Sequence, residues 1–149
     1  MEQAKLPQPY ALRMELIRSK GYSDLEVISF IERGNGEELK SHVDPELNWG
    51  DFLEYARENF RKLKTAILEG YQFNFITAGG IQNLLRIRFS LQLEQDYRFD
   101  GVTFEGLRLK SQDYQLLRSL VPEHWSFFDV RRDESAGDIG FGIKLQSGN

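Results

Sequence analysis

The chain has 149 residues, 40% of them hydrophobic, with 11 Phe, 6 Tyr, 2 Trp and no Cys. That length supports a proper core without staples, the apolar share excludes a disordered chain, and the missing cysteine excludes disulfides, thiolate nucleophiles and Cys-ligated metal centres. The net charge of −4 is uneven: residues 21–60 hold three bases and ten acids, a net −7, whereas residues 61–118 hold nine bases and six acids, a net +3.

Taken in order, residues 1–9 have no apolar run of the signal-peptide kind, and charges interrupt every apolar stretch beyond them. The expectation is a cytoplasmic protein with no membrane segment. A helix is predicted over residues 10–20, stopped by Gly21. Ser23 and Glu26 stand in capping-box spacing and open a second helix carrying Leu25, Val27, Ile28, Phe30 and Ile31. It ends at Arg33, before Gly34. A short helical turn is expected over 37–43. Asn48 can cap a long helix over 51–69, whose stripe of Phe52, Tyr55, Ala56, Phe60, Leu63, Ala66 and Ile67 recurs at steps of three and four.

Beyond Gly70 the period changes. Tyr71, Phe73 and Phe75 alternate with polar residues, and Ala78-Gly79-Gly80 reads as a hairpin turn. Over residues 85–99, Leu85, Ile87, Phe89, Leu91, Leu93, Tyr97 and Phe99 share one parity, while Arg86, Arg88 and Arg98 share the other. That pattern predicts a long, half-buried strand closed by a two-residue turn at Asp100-Gly101, with Phe99 facing Val102 and Tyr97 facing Phe104. The apolar parity then slips between Phe104 and Leu107. One extra residue at Glu105-Gly106, a β-bulge, restores both to one face and sets Leu109 opposite Leu93. A short helix should begin at Ser111 and stop at Pro122. Strands follow over 125–131 and 139–145, joined by an acidic loop over 133–138. Gly140 and Gly142 are the least expected residues, because glycine weakens a strand unless a ring, a backbone or a ligand approaches it closely.

The fold class is α+β: N-terminal helices packed on a five-stranded, mainly antiparallel sheet with one inserted short helix. The chain reads as a single domain over 1–149, with a helical part over 1–70 and a β-rich part over 71–149. The stripe of the 51–69 helix is expected to pack on the apolar face of the 85–93 segment.

No residue set carries a specific chemistry. His42 and His124 lie in no metal-ligand spacing, and Glu123-His124 is an acid–base pair only if a cleft forms beside it. No Gly-x-Ser-x-Gly or phosphate loop is present, and Asp129, Asp133, Glu134 and Asp138 lack the order of a calcium loop. No catalytic residue, metal or cofactor is expected. The first two helices have the outline of a helix-turn-helix, but Asp24, Glu26 and Glu32 on the second would oppose phosphates, so no DNA is expected. Arg86, Arg88, Arg98 and Arg108 form an arginine-bearing sheet face, yet the aromatics that stack RNA bases have the opposite parity.

The reading that follows is a non-enzymatic adaptor or regulatory protein acting through a protein partner or self-association. The expected surface is the second helix, with Val27 and Phe30 at its centre and Asp24, Glu26 and Glu32 at its rim, facing a basic partner. The alternatives are a small enzyme or small-molecule-binding protein with a pocket between helices and sheet, and then RNA binding through the arginine face.

Overall fold

Ser23 forms the capping box that its spacing predicts: its hydroxyl accepts from the Glu26 amide, and Glu26 Oε1 accepts from the Ser23 amide at 2.9 Å. The structure, a computed structural model, describes residues 4–146. Among them the element order is β1 (Ala4–Leu6), α1 (Gln8–Ser19), α2 (Asp24–Arg33), α3 (Gly36–His42), α4 (Gly50–Glu58), α5 (Phe60–Glu69), β2 (Tyr71–Phe73), α6 (Ala78–Phe89), β3 (Arg98–Phe99), β4 (Thr103–Lys110), α7 (Ser111–Leu120), β5 (Trp125–Asp133) and β6 (Asp138–Leu145). The fold is α+β, with a four-stranded antiparallel sheet and a two-stranded parallel sheet of β1 and β2. The chain divides into two compact units that meet at Gln72 and Phe73.

The first unit is helical. The stripe expected of one helix over 51–69 is shared by two, because the chain breaks at Asn59. The Asn59 side-chain amide donates to the Tyr55 carbonyl at 2.9 Å, a local bond that competes with continued winding. Phe52, Ala56, Leu63, Ala66 and Ile67 are buried as the stripe requires. Helix α2 packs against both α4 and α5, and Val27, Ile28, Phe30 and Ile31 are buried while Leu25 is exposed. Arg18 of α1 ties the helices together: one guanidinium nitrogen donates to the Ile67 carbonyl at 2.8 Å, and the other lies 3.0 Å from Asp24. Glu15, only 1% exposed, accepts from the Tyr71 hydroxyl.

In the second unit the strand expected over 85–99 is a correction. Residues 78–89 are helix α6, the Gly79-Gly80 hairpin is its first turn, and only Arg98 and Phe99 at the far end are strand. Thr77 accepts from the Gly80 amide at 3.0 Å as N-cap, and Ser90 closes the helix in the left-handed region. Leu85, Ile87 and Phe89 fit a period of two, but Ile81, Leu84 and Leu85 fit i, i+3, i+4, and those three are fully buried. Leu, Arg and Gln are strong helix formers, and the helix wins.

The four-stranded sheet therefore runs β3-β4-β6-β5 rather than through five strands. Strands β4 and β5 are both antiparallel to β6, and α7 connects them across the face that buries Leu107, Tyr114, Leu117, Ile139 and Phe141. Tyr114 meets Phe141 edge-on at 4.9 Å between ring centroids. The predicted bulge is present: the β4–β6 register shifts between Phe104 and Leu107, and Gly106 has φ +76°. Three pairings differ from expectation: Tyr97 bridges to Leu93 rather than facing Phe104, and two others shift. Phe99 faces Phe104 rather than Val102, because Asp100 Oδ1 accepts from the Val102 and Thr103 amides and widens the turn. Leu109 faces Ile139 of β6 rather than Leu93.

Candidate functional site

The two parts of the expected partner surface separate. Val27 and Phe30 lie in the core of the first unit, 0% and 5% exposed. The Phe30 ring meets Tyr22 edge-on at 4.8 Å and takes the Arg33 guanidinium at 5.3 Å. Their expected place on a docking face is therefore corrected, since neighbouring helices cover them. Of the rim residues, Glu26 and Glu32 are exposed, while Asp24 is engaged by Arg18. Backbone and side-chain bonds from Ser23 hold the Glu26 carboxyl below the usual glutamate range.

Glu32 instead stands at the lip of a groove of about 780 Å³ between the end of α2, the start of α3 and one face of α4. Positions 50, 53, 54 and 57 of α4 recur at helical spacing, opposite the buried Phe52 and Ala56. Leu53 and Phe60, both half-buried, and the side of Ile31 supply apolar surface, and Glu32, Glu54 and Arg57 supply the charged rim. A Cβ on Gly36 would touch Leu53 Cδ1 at 3.8 Å, so the helices approach closely here. Arg33 also lines the groove, but Glu38 holds its Nε at 2.9 Å. Sequence reasoning missed Leu53. The available signal was an apolar residue standing off the core stripe of an otherwise amphipathic helix.

The four arginines do not form one sheet face. Arg86 and Arg88 are on helix α6, whereas Arg98 is on β3 and Arg108 on β4. Arg108 belongs to a second concavity, of about 430 Å³, on the sheet face opposite α7. Three oddities of the sequence meet there: the Glu105-Gly106 bulge, the two glycines and the acidic loop. A second bulge breaks the β5–β6 register between Phe128 and Arg131, with Asp129 at φ +50°. The two bulges flank β6 where its outward positions are Gly140 and Gly142.

The glycines have different reasons. At Gly142 the Phe128 ring lies over the backbone, so an added Cβ would come within 2.4 Å of Phe128 Cζ and 2.9 Å of the Phe104 carbonyl. Of the expected explanations, a close ring and a close backbone both apply, from Phe128 and Phe104. At Gly140 a Cβ would meet only the Leu107 carbonyl at 3.8 Å, an ordinary contact. Asp133 Oδ1 accepts from the Ser135 hydroxyl at 2.7 Å and from two loop amides, bonds that hold its carboxyl below the usual aspartate range.

His124 is also placed. Its Nε2 is 3.0 Å from the Ile76 carbonyl, which also accepts from Trp125 Nε1 at 2.8 Å, and its ring stacks on Phe75. A carbonyl only accepts, so His124 donates from Nε2. Glu123 beside it is exposed. Among the described residues no group of His, Asp and Glu could hold a metal ion, and no helix is long and apolar enough to cross a membrane. Compared with protein-family models, curated proteins and solved structures, the chain matches none.

Proposed function

We propose that this chain is a non-enzymatic adaptor or regulatory protein that acts by binding another protein, and that the α2/α3/α4 groove is its docking surface. The observation that carries the reading is the groove's composition: Leu53, Phe60 and Ile31 offer an apolar seat within a segment of net charge −7. An apolar side chain on a basic segment suits it, with the seat supplying affinity and the surrounding acids supplying encounter rate and partner choice. The cysteine-free chain suits a reducing compartment, and we assign it to the cytoplasm.

A peptide-display selection on the immobilised protein tests this. Enriched peptides should carry a large apolar residue flanked by Lys or Arg, and Leu53→Asp should abolish the enrichment without lowering the thermal midpoint, since Leu53 is half-exposed. Enrichment that survives Leu53→Asp, or none at all, contradicts the proposal. Light scattering run beside it distinguishes a second copy of this chain as the partner.

A further inference from the structure

Packing within the sheet does not require the glycine at position 140. It has room for a side chain and no left-handed backbone, yet it sits mid-strand, where glycine weakens pairing. Its two cross-strand partners are both arginines: Arg108 on β4 and Arg131 on β5. Residues directly opposite across a ladder share a face, so the row Arg108–Gly140–Arg131 presents two guanidinium groups on either side of a bare backbone. Two strand spacings put the arginine Cα atoms about 10 Å apart, within reach of one small group between them.

Arg131 is uncommitted, and Arg108 is held only by two long ion pairs. Arg108 lies 3.9 Å from Asp133 and 4.0 Å from Asp138, too far for hydrogen bonds, and is 62% exposed. Exposed pairs of that kind are weak and exchange readily. Among the described residues, Arg131 forms no ion pair or side-chain hydrogen bond. Of the carboxylates at the rim, Asp133 gives Oδ1 to its turn and faces Arg108 with Oδ2, Asp138 lies between Lys110 at 3.6 Å and Arg108 at 4.0 Å, and Glu105 and Asp129 stand exposed at the two bulges. Phe128 forms an apolar wall beside the row.

We propose that this row is a binding site for a small phosphate monoester whose organic part lies against Phe128. A tetrahedral dianion offers oxygens to both guanidinium forks at once and matches their two charges, whereas a carboxylate presents a single edge. With Glu105, Asp129, Asp133 and Asp138 nearby, the site selects by geometry rather than by net charge.

The test is an NMR titration of the full chain with phenyl phosphate, following the Gly140 and Gly142 amides and the arginine Nε–H signals. Saturable shifts are expected at both glycines and at Arg108 and Arg131. Arg131→Gln should weaken the affinity about tenfold or more, the worth of a charge-assisted pair. Gly140→Val, whose Cβ has room, should block binding while the rest of the amide spectrum stays in place. Gly140→Ala serves if the valine variant fails to fold. Non-saturating shifts spread over many basic residues, or saturation unchanged in Arg131→Gln, overturn the proposal. Benzoate binding as tightly as phenyl phosphate overturns the phosphate assignment.

Discussion

Gly140 and Gly142 stand two residues apart on one strand, and their substitutions should diverge. Gly142→Ala drives a Cβ against the Phe128 ring and the Phe104 carbonyl, and should cost about 1–3 kcal/mol because the backbone side of that contact cannot yield. Gly140→Ala makes only an ordinary contact with the Leu107 carbonyl and should be neutral or slightly stabilising, by removing freedom from the unfolded chain. Urea unfolding of the two variants checks both, and equal losses would refute the assignment of Phe128 as the reason for Gly142. Asp133 carries the clearest pH dependence at this scale. Its folded pKa is depressed, chiefly by the Ser135 hydroxyl, below the 3.8 of an ordinary aspartate. It therefore stabilises the fold at neutral pH, and that contribution fades as pH falls from about 4 through the lowered folded value. A carboxyl-carbon NMR titration should give Asp133 a midpoint below 3.8, moving up in Ser135→Ala. An unmoved midpoint would remove the hydroxyl as its cause.

Helix α2 and strand β4 were legible from the sequence because single local devices specify them. A capping box fixes where α2 starts, and a parity slip with a glycine fixes where β4 bulges. Both devices should be measurable: Ser23→Ala should cost about 1 kcal/mol by orphaning the Glu26 amide. Gly106→Val should cost about 1–3 kcal/mol because φ +76° is closed to a β-branched residue. Thermal melts that leave either variant unchanged would deny the device its role. Helix α6 was illegible for the opposite reason. Leu85, Ile87 and Phe89 satisfy both periods, and the Gly79-Gly80 pair, a turn signal in isolation, is tolerated in the first turn of a helix capped by Thr77. The error spread from there, creating a fifth strand and an arginine face that Arg86 and Arg88 do not join. The site was legible only in parts. Glu32, Arg108, Gly140 and Gly142 were singled out, but Leu53 lay off its helix stripe, and Arg131 was read as the end of its strand rather than as a neighbour of Gly140.

For the molecule as a whole, each unit carries its own core and its own concavity, and the functional claim rests on the first. Phe30→Asp places a charge in the core beside Tyr22 and Arg33 and should unfold that unit, as unpaired burial in a close-packed site generally does. A surface substitution at the groove should instead leave the fold intact and remove the partner. The most direct measurement is amide shift mapping of the intact chain with a lysine-flanked peptide bearing one central leucine. The account predicts saturable shifts confined to the groove, at Gly34, Gly36, Leu53, Glu54 and Phe60, that weaken with added salt and vanish in Leu53→Asp. Shifts centred elsewhere in the chain, or unaffected by Leu53→Asp, would contradict it.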